Sequence, residues 1–180
     1  MAAGMMHFCA GDMPGARRLF TESLSMDSEN NDARLMLYLI DWLAGKEAGR
    51  AYQEDLLKLD WRSTAEFQGF LVQVLEGLVD EDSALDGWYT ASERSWLNYA
   101  VSLMRSRQKD WTGTEKLNRE AILSANSDAW EFYLARSRLE NVQKHRREVM
   151  KTKKLLDQYN PNVAAFETKV QTTLEEKINL

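Results

Sequence analysis

A chain of 180 residues is long enough for one domain with its own core, because a chain of this size buries about 70% of its unfolded surface. Its composition is 44% hydrophobic and 28% charged, and Pro 2 and Gly 9 mean few helix breakers, which favours an all-α fold. The net charge of −5 argues against a strongly basic nucleic-acid-binding protein. A lone Cys9 excludes an internal disulfide.

The sequence contains no targeting or membrane segment and no pattern typical of a metal or cofactor site. Its longest apolar run, residues 35–40, is too short to span a bilayer, and residues 1–10 lack the basic and apolar regions of a signal peptide. His7 and His145 lie far apart, so no Cys/His spacing fits zinc. We therefore expect a soluble, cytoplasmic protein without cofactors.

Helix starts recur along the chain, each marked by a short oxygen-bearing side chain that can cap free N–H groups. These pairs are Asp12 before Pro14, Ser63 before Glu66, Thr90 before Glu93, Thr112 before Glu115, Ser127 before Asp128, and Asn160 before Pro161. They predict helices near residues 2–10, 13–26, 31–44, 47–60, 64–78, 82–89, 93–107, 113–125, 128–140, 142–158 and 162–178. No alternating apolar run with hairpin turns predicts a strand.

Alternate helices repeat one apolar stripe, in which a large residue is followed by others three, four and seven places later. The stripes are Leu35/Tyr38/Leu39/Trp42, Phe67/Phe70/Leu71/Val74, Leu97/Ala100/Val101/Met104 and Trp130/Tyr133/Leu134/Ser137. Their starts are 32, 30 and 33 residues apart, a period typical of helical repeats. Each stripe is predicted to belong to the first helix of a hairpin.

The second helices show a small residue, a bulky one four places later and another small one three places after that. Ala16/Phe20/Ser23 and Ala84/Trp88/Ala91 follow this pattern, which lets neighbouring helices approach closely. Weaker versions are Ala48/Tyr52/Asp55, Thr114/Asn118/Ala121 and Val149/Lys153/Leu156.

Together these residues resemble tetratricopeptide repeats. Gly4, Gly11 and Asp12, Ala16, Phe20 and residues 24–28 resemble one repeat, and residues 57–61 resemble the end of a second. Trp130, Tyr133 and Leu134 resemble the start of a later repeat, which residues 155–161 would close. The resemblance implies a right-handed superhelical stack of about five antiparallel helical hairpins, with helix 162–178 covering the last core face. Residues 1–180 would form one domain. Because Met1 falls about four residues inside the first helix of its repeat, we expect the chain to continue a longer parent protein or to fill the gap by association.

The resemblance also implies a function, that of a non-enzymatic scaffold which binds a peptide or helix of another protein, or a second copy of itself, in a concave groove. The residues expected to face this groove include Met36, Ile40, Gln68, Val72, Asn98, Ser102, Arg105, Glu131 and Arg138. Arg105 and Arg138 share one repeat position, which suits a carboxylate of a bound peptide. Reversing both charges is expected to abolish binding without lowering the melting temperature.

No catalytic motif stands out, because the glycines do not form a phosphate-binding loop and His7 and Cys9 lie on different faces of a helix. Of the tryptophans, Trp42, Trp88 and Trp130 fall on the repeat patterns and are expected in the core. Trp61, Trp96 and Trp111 lie near helix junctions, where an exposed binding role is an alternative.

Two other functions stay open. Lys144, Arg146, Arg147, Lys151, Lys153 and Lys154 give residues 144–154 a basic face, which a nucleic-acid-associated helical repeat could use. A solvated helix explains the same face more simply, so we favour another protein over nucleic acid as the partner. The third possibility is a regulatory region of a multidomain enzyme.

Overall fold

The structure, a computed structural model, describes residues 1–45, 50–58 and 67–159, and over these residues it contains nine α-helices and no strand. The helices are α1 Ala2–Cys9, α2 Met13–Met26, α3 Asn31–Leu43, α4 Arg50–Leu57, α5 Phe67–Leu75, α6 Glu81–Leu85, α7 Ala91–Arg107, α8 Trp111–Ser124 and α9 Trp130–Tyr159. The all-α prediction is confirmed. The predicted helix 162–178, the starts at Ser63 and Asn160, and Trp61 lie outside the described residues.

Most helix starts follow from local capping. Asp12 Oδ1 accepts from Gly15 N at 3.0 Å, which begins α2 as predicted. Thr90 and Glu93 form the predicted capping box of α7. The prediction for α8 was wrong, because Asp110 caps it, accepting from Gly113 N at 2.8 Å, and Thr112 lies inside the helix.

The odd-numbered helices α1, α3, α5 and α7 end in similar turns. Each is followed two residues later by a residue with positive φ, namely Gly11, Gly45, Gly77 and Lys109. After α5, Gly77 N donates to Val74 O at 3.0 Å and Leu78 N donates to Gln73 O at 2.8 Å, which satisfies carbonyls at the helix end. The four positions are 34, 32 and 32 residues apart, so the period read from the sequence is present in the backbone.

The fifth turn of this series is missing. Helices were predicted over residues 128–140 and 142–158, but α9 continues unbroken from Trp130 to Tyr159. Asn141 takes the place of the turn residue, and no glycine or proline interrupts the segment. Arg136 Nε lies 3.1 Å from Glu140 Oε1, a pair four residues apart that stabilises the helix. The two predicted helices are therefore one.

The predicted helix 82–89 is shorter than expected, and this moves Trp88 out of the core. The helix α6 ends at Leu85, because the guanidinium of Arg94 donates to the carbonyl oxygens of Leu85 and Gly87 and so caps the helix end. Trp88 then lies beyond the helix and is fully exposed. The prediction of a core Trp88 was wrong.

The helices pack in chain order and also close on one another. Each even-numbered helix contacts the odd-numbered helix before or after it, and α3 packs on α5, α5 on α7 and α7 on α9. Helix α9 also contacts α1, where Ser137 Oγ donates to Cys9 O at 2.8 Å. The first and last described helices therefore meet. The described segments form one hydrophobic cluster to which all nine helices contribute buried side chains, most of them from α3, α5 and α7.

The packing of small on large residues agrees with the prediction for two hairpins. A Cβ on Gly4 would lie 2.6 Å from Cε1 of Phe20, so the absence of a side chain lets α1 rest on that ring. Ala16 and Phe20 are fully buried. The weaker pattern in α8 is also a buried face, since Thr114, Asn118 and Ala121 are all 0% exposed.

Two residues of the α3 core stripe contact residues at the C-terminal ends of α5 and α7. Trp42 is 9% exposed, as predicted for a core residue, and the guanidinium carbon of Arg107 lies 3.4 Å from its ring centroid. The hydroxyl of Tyr38 donates to Glu76 on the turn after α5. Burial and this bond to Glu76 raise the pKa of Tyr38 well above its usual range, so the phenol stays a neutral donor. In the described part of the chain, no helix is both long and apolar enough to cross a bilayer.

Candidate functional site

The residues predicted to face an open groove are mostly buried. Met36, Ile40, Val72, Asn98, Ser102 and Glu131 are each 4% exposed or less, and Gln68, Arg105 and Arg138 are half-buried. The reason is the contact of α9 with α1, which turns the faces of the odd-numbered helices toward one another. The expectation of an open concave groove at these residues was wrong. Binding of a partner by the accessible ones stays a prediction.

The two arginines expected to act together on a bound carboxylate have different partners in the structure. Arg105 Nε lies 2.7 Å from Glu81 Oε2, and its Nη1 lies 3.8 Å from Asp110 Oδ2, so its charge is already paired. Arg138 lies on α9, where its Nη2 donates to Ser106 Oγ. Burial lowers the pKa of the Arg138 guanidinium from its usual value, although the group stays charged at neutral pH.

A pocket of about 310 Å³ opens at the N-terminal ends of the five odd-numbered helices, and we call it the mouth pocket. Its lining residues come from the first two turns of each helix or the residue just before it. They are Met1, Met5, Asp32, Leu35, Met36, Phe67, Gln68, Ser92, Glu93, Trp96, Trp130 and Glu131. Of the predicted site residues, the structure brings Met36, Gln68 and Glu131 together here.

The wall of the mouth pocket is aromatic and acidic. Phe67, Trp96 and Trp130 supply rings, and Asp32, Glu93 and Glu131 supply carboxylates, whereas none of the described lining residues is a lysine or an arginine. Such a wall is complementary to a cation, which is attracted both to carboxylates and to the faces of aromatic rings.

Hydrogen bonds fix the polar groups of this wall. Gln68 Nε2 donates to Asp32 Oδ1 at 2.7 Å, which sets the orientation of the amide, because its oxygen would repel that carboxylate. Gln68 Oε1 is then buried without a donor among the described residues. Glu131, itself 4% exposed, accepts from Ser92 Oγ at 2.5 Å. The pocket thus offers carboxylate and amide acceptors in fixed positions, and its side-chain donors are neutral groups such as the indole N–H of Trp96 and Trp130.

A second, smaller pocket of about 150 Å³ lies where α1 meets α9, and we call it the seam pocket. Its lining residues are Phe8, Cys9, Ala10, Gly11, Met13, Leu43, Tyr99, Leu103, Leu134, Ser137, Arg138 and Asn141. Burial raises the pKa of the Cys9 thiol, so the thiol stays protonated at neutral pH. Burial likewise raises the pKa of Tyr99 above its usual range.

The basic face of residues 144–154 is only partly free. Arg146 Nη1 lies 2.5 Å from Glu115 Oε2 on α8, and the ring of His145 packs at 5.5 Å from that of Trp111. Hydrogen bonds from Arg119 and Arg146 hold the pKa of Glu115 below its usual range. The remaining cations of this face, Lys144, Arg147, Lys151, Lys153 and Lys154, are exposed.

The sequence contained a usable signal for part of the mouth pocket. If alternate helices run in one direction, their first turns meet at one end, and this alone groups Asp32, Phe67, Glu93 and Trp130. The repeat and capping patterns instead predict Phe67 and Trp130 in the core and Glu93 in a helix cap. Trp96 was expected near a junction with a possible binding role, and it lines the pocket.

Comparison with protein-family models, with curated proteins and with solved structures found no match to this chain.

Proposed function

We propose that the chain is a non-enzymatic helical-repeat scaffold that binds a segment of another protein, and that the mouth pocket receives a cationic side chain of that segment. The observation that carries the proposal is the composition of this pocket, which is lined by three carboxylates and three aromatic rings and contains no lysine or arginine among its described residues. A guanidinium or ammonium group supplies the missing positive charge and donates to these carboxylates.

The dimensions of the pocket support a side chain rather than a whole helix. A volume of about 310 Å³ lies at the lower end of the range for small-ligand sites, and the walls converge from five helices. The partner's backbone on either side of that side chain would lie across the N-terminal ends of the odd-numbered helices. The tetratricopeptide-like spacing of the turns supports the scaffold part of the proposal, since arrays of this kind hold peptides.

The test is a calorimetric titration with an acetylated, amidated pentapeptide of glycines around one central arginine. Glu131→Gln keeps an acceptor for Ser92 and removes the charge. We therefore expect the Kd for the arginine peptide to rise about tenfold, because one charge-assisted hydrogen bond is lost. Glu120→Gln is the matched control, because Glu120 lies on α8 outside the pocket and pairs with Lys116 at 3.8 Å. Equal binding of a peptide with central glutamine, or wild-type affinity in Glu131→Gln, contradicts the proposal.

A second candidate function is polyanion binding by the exposed cations of residues 144–154. The observation in its favour is that the lysine and arginine side chains of residues 144–154 are exposed on α9, and that five of them are not paired with Glu115. Binding of single-stranded RNA that weakens steeply with salt supports this candidate. Binding that does not change when Lys151 and Lys154 are both replaced by glutamine contradicts it.

A further inference from the structure

The seam pocket contains a half-buried positive charge with unused hydrogen-bonding capacity. The guanidinium of Arg138 has one hydrogen-bond acceptor among the described residues, Ser106 Oγ, and its Nε is buried without an acceptor. No described carboxylate lies within ion-pair distance of it. Arginines that are largely removed from water are usually paired, because an uncompensated charge is unfavourable there.

The carbonyl groups at the nearby end of α1 do not supply the missing partner. The oxygen of His7 accepts from Asp12 N at 2.9 Å, that of Phe8 accepts from Gly11 N at 3.0 Å, and that of Cys9 accepts from Ser137 Oγ at 2.8 Å. These acceptors already have donors. Arg138 lines the seam pocket, so the remaining N–H groups of its guanidinium are the donors that it offers there.

A second donor lines the same space. Tyr99 is 3% exposed, and burial raises its pKa, while the nearby charge of Arg138 acts in the opposite direction. No hydrogen bond to a described residue involves its hydroxyl, although the hydroxyl of a buried tyrosine ordinarily has a partner. Two donors from two helices, one of them cationic, thus border one cavity.

The rest of the wall limits the ligand to a small anion with an apolar stem. Among the described residues lining the pocket, Arg138 is the single charged one, and Phe8, Leu43, Leu103 and Leu134 form an apolar wall. A cavity of about 150 Å³ accommodates a molecule the size of benzene, with six non-hydrogen atoms. Two donors match the two oxygens of a carboxylate, whereas a phosphate would need more donors and would meet the apolar wall.

We propose that the seam pocket is a binding site for a short-chain carboxylate, with one oxygen accepting from the guanidinium of Arg138 and the other from the hydroxyl of Tyr99, and with the alkyl stem against the apolar wall. The ligand joins α9, α7 and the end of α1 at the point where the first and last described helices meet. Occupancy therefore stabilises the closed arrangement. This site is independent of the mouth pocket, which lies at the other end of the odd-numbered helices.

Cys9 provides a direct probe of occupancy. It is the one cysteine of the chain, it lines the pocket, and it is partly accessible. The experiment measures the rate at which a maleimide labels Cys9 of the full chain while sodium butyrate is added. We expect butyrate to slow labelling at least tenfold, with a Kd in the millimolar range usual for so small a ligand. Butyramide, which has the same shape and no charge, should leave the rate unchanged.

Two variants assign the effect to the proposed donors. Tyr99→Phe removes one donor without changing the shape of the core and should raise the Kd for butyrate about tenfold. Arg138→Gln should abolish protection. If Arg138→Gln does not fold, as its own melting curve will show, Tyr99→Phe decides alone. Equal protection by butyrate and butyramide, no protection by butyrate, or unchanged protection in Tyr99→Phe overturns the proposal.

Further arms of the same experiment identify the source of the carboxylate. An acetylated peptide that ends in a free norvaline is compared with its C-terminal amide. Protection by the free-acid peptide at lower concentration than butyrate assigns the site to a chain terminus, and protection by butyrate alone assigns it to a free small acid. Inorganic phosphate should not protect, and protection by phosphate in preference to butyrate rejects a carboxylate.

Discussion

The turns after α5 and α7 place two chemically different residues in the same backbone conformation. Gly77 has φ +70 and Lys109 has φ 63, and both follow their helix by two residues. Glycine adopts this left-handed region readily, whereas a residue with a Cβ is strained there by about 1 kcal/mol. A Cβ on Gly77 would meet no atom within 4 Å, so the backbone alone decides the effect of substitution.

We therefore expect Gly77→Ala to lower the free energy of unfolding by about 1 kcal/mol and Lys109→Gly to raise it by up to about 1 kcal/mol. Urea unfolding followed by circular dichroism measures both. Gln108→Gly is the control, because Gln108 has φ −77 and lies in the right-handed region, where glycine only adds flexibility. A loss of stability in Lys109→Gly equal to that in Gln108→Gly would contradict the assignment of strain.

The charge of Arg105 is paired in the structure, so reversing that charge should lower stability, contrary to the expectation from the sequence. In Arg105→Glu the new carboxylate faces those of Glu81 and Asp110, so we expect a loss of stability on the order of 1 kcal/mol. The double variant with Glu81→Arg should recover part of the loss. Thermal unfolding of the two proteins tests this, and an unchanged melting temperature for Arg105→Glu would count against the ion pair.

At the scale of the elements, the contact between α1 and α2 depends on one absent side chain. Gly4→Ala would bring a methyl group to 2.6 Å from the Phe20 ring, so overpacking should cost about 1 to 3 kcal/mol. Phe20→Leu makes room for that methyl group. The double variant should lose less stability than the sum of the single changes, and strict additivity in denaturant unfolding would contradict the close contact.

Which elements the sequence predicts depends on how local their determinants are. The caps at Asp12 and Thr90 act within three residues, and both helices begin where their caps predict. The sequence pattern did not predict that α9 is continuous, because the repeat period indicated a turn near Asn141. The residues around Asn141 are good helix formers, and the repeat period takes no account of helix propensity. The early end of α6 depends on Arg94, which reaches back from the next helix.

At the scale of the whole molecule, the contact between α1 and α9, which closes the arrangement of helices, determines which predicted site residues are accessible. The bond between Ser137 and Cys9 joins residues that are 128 positions apart, and no local pattern contains that contact. The resemblance to an open repeat array therefore selected the faces of the odd-numbered helices that point toward one another. It predicted, however, that these faces are exposed to solvent. Their apolar character, as at Met36, Ile40 and Val72, is what a core requires.

The same closure places the two pockets at opposite ends of one helical layer. The mouth pocket is lined by the first turns of the odd-numbered helices, and the seam pocket is lined by the last residues of α1 and the middle of α9. Both pockets depend on α9 lying beside α1. A molecule opened at this seam would lose the smaller pocket and expose the residues expected to face a groove.

The accessibility of Val72 tests this closure most directly. Val72 is 0% exposed and was expected to face an open groove, whereas Leu78, six residues later, is 66% exposed. In a Cys9→Ser background, we expect Val72→Cys to react with a thiol reagent only through unfolding, at least about a thousand times more slowly than Leu78→Cys. Circular dichroism should show that both variants are folded. Labelling of a folded Val72→Cys at the rate of Leu78→Cys would contradict the closed arrangement.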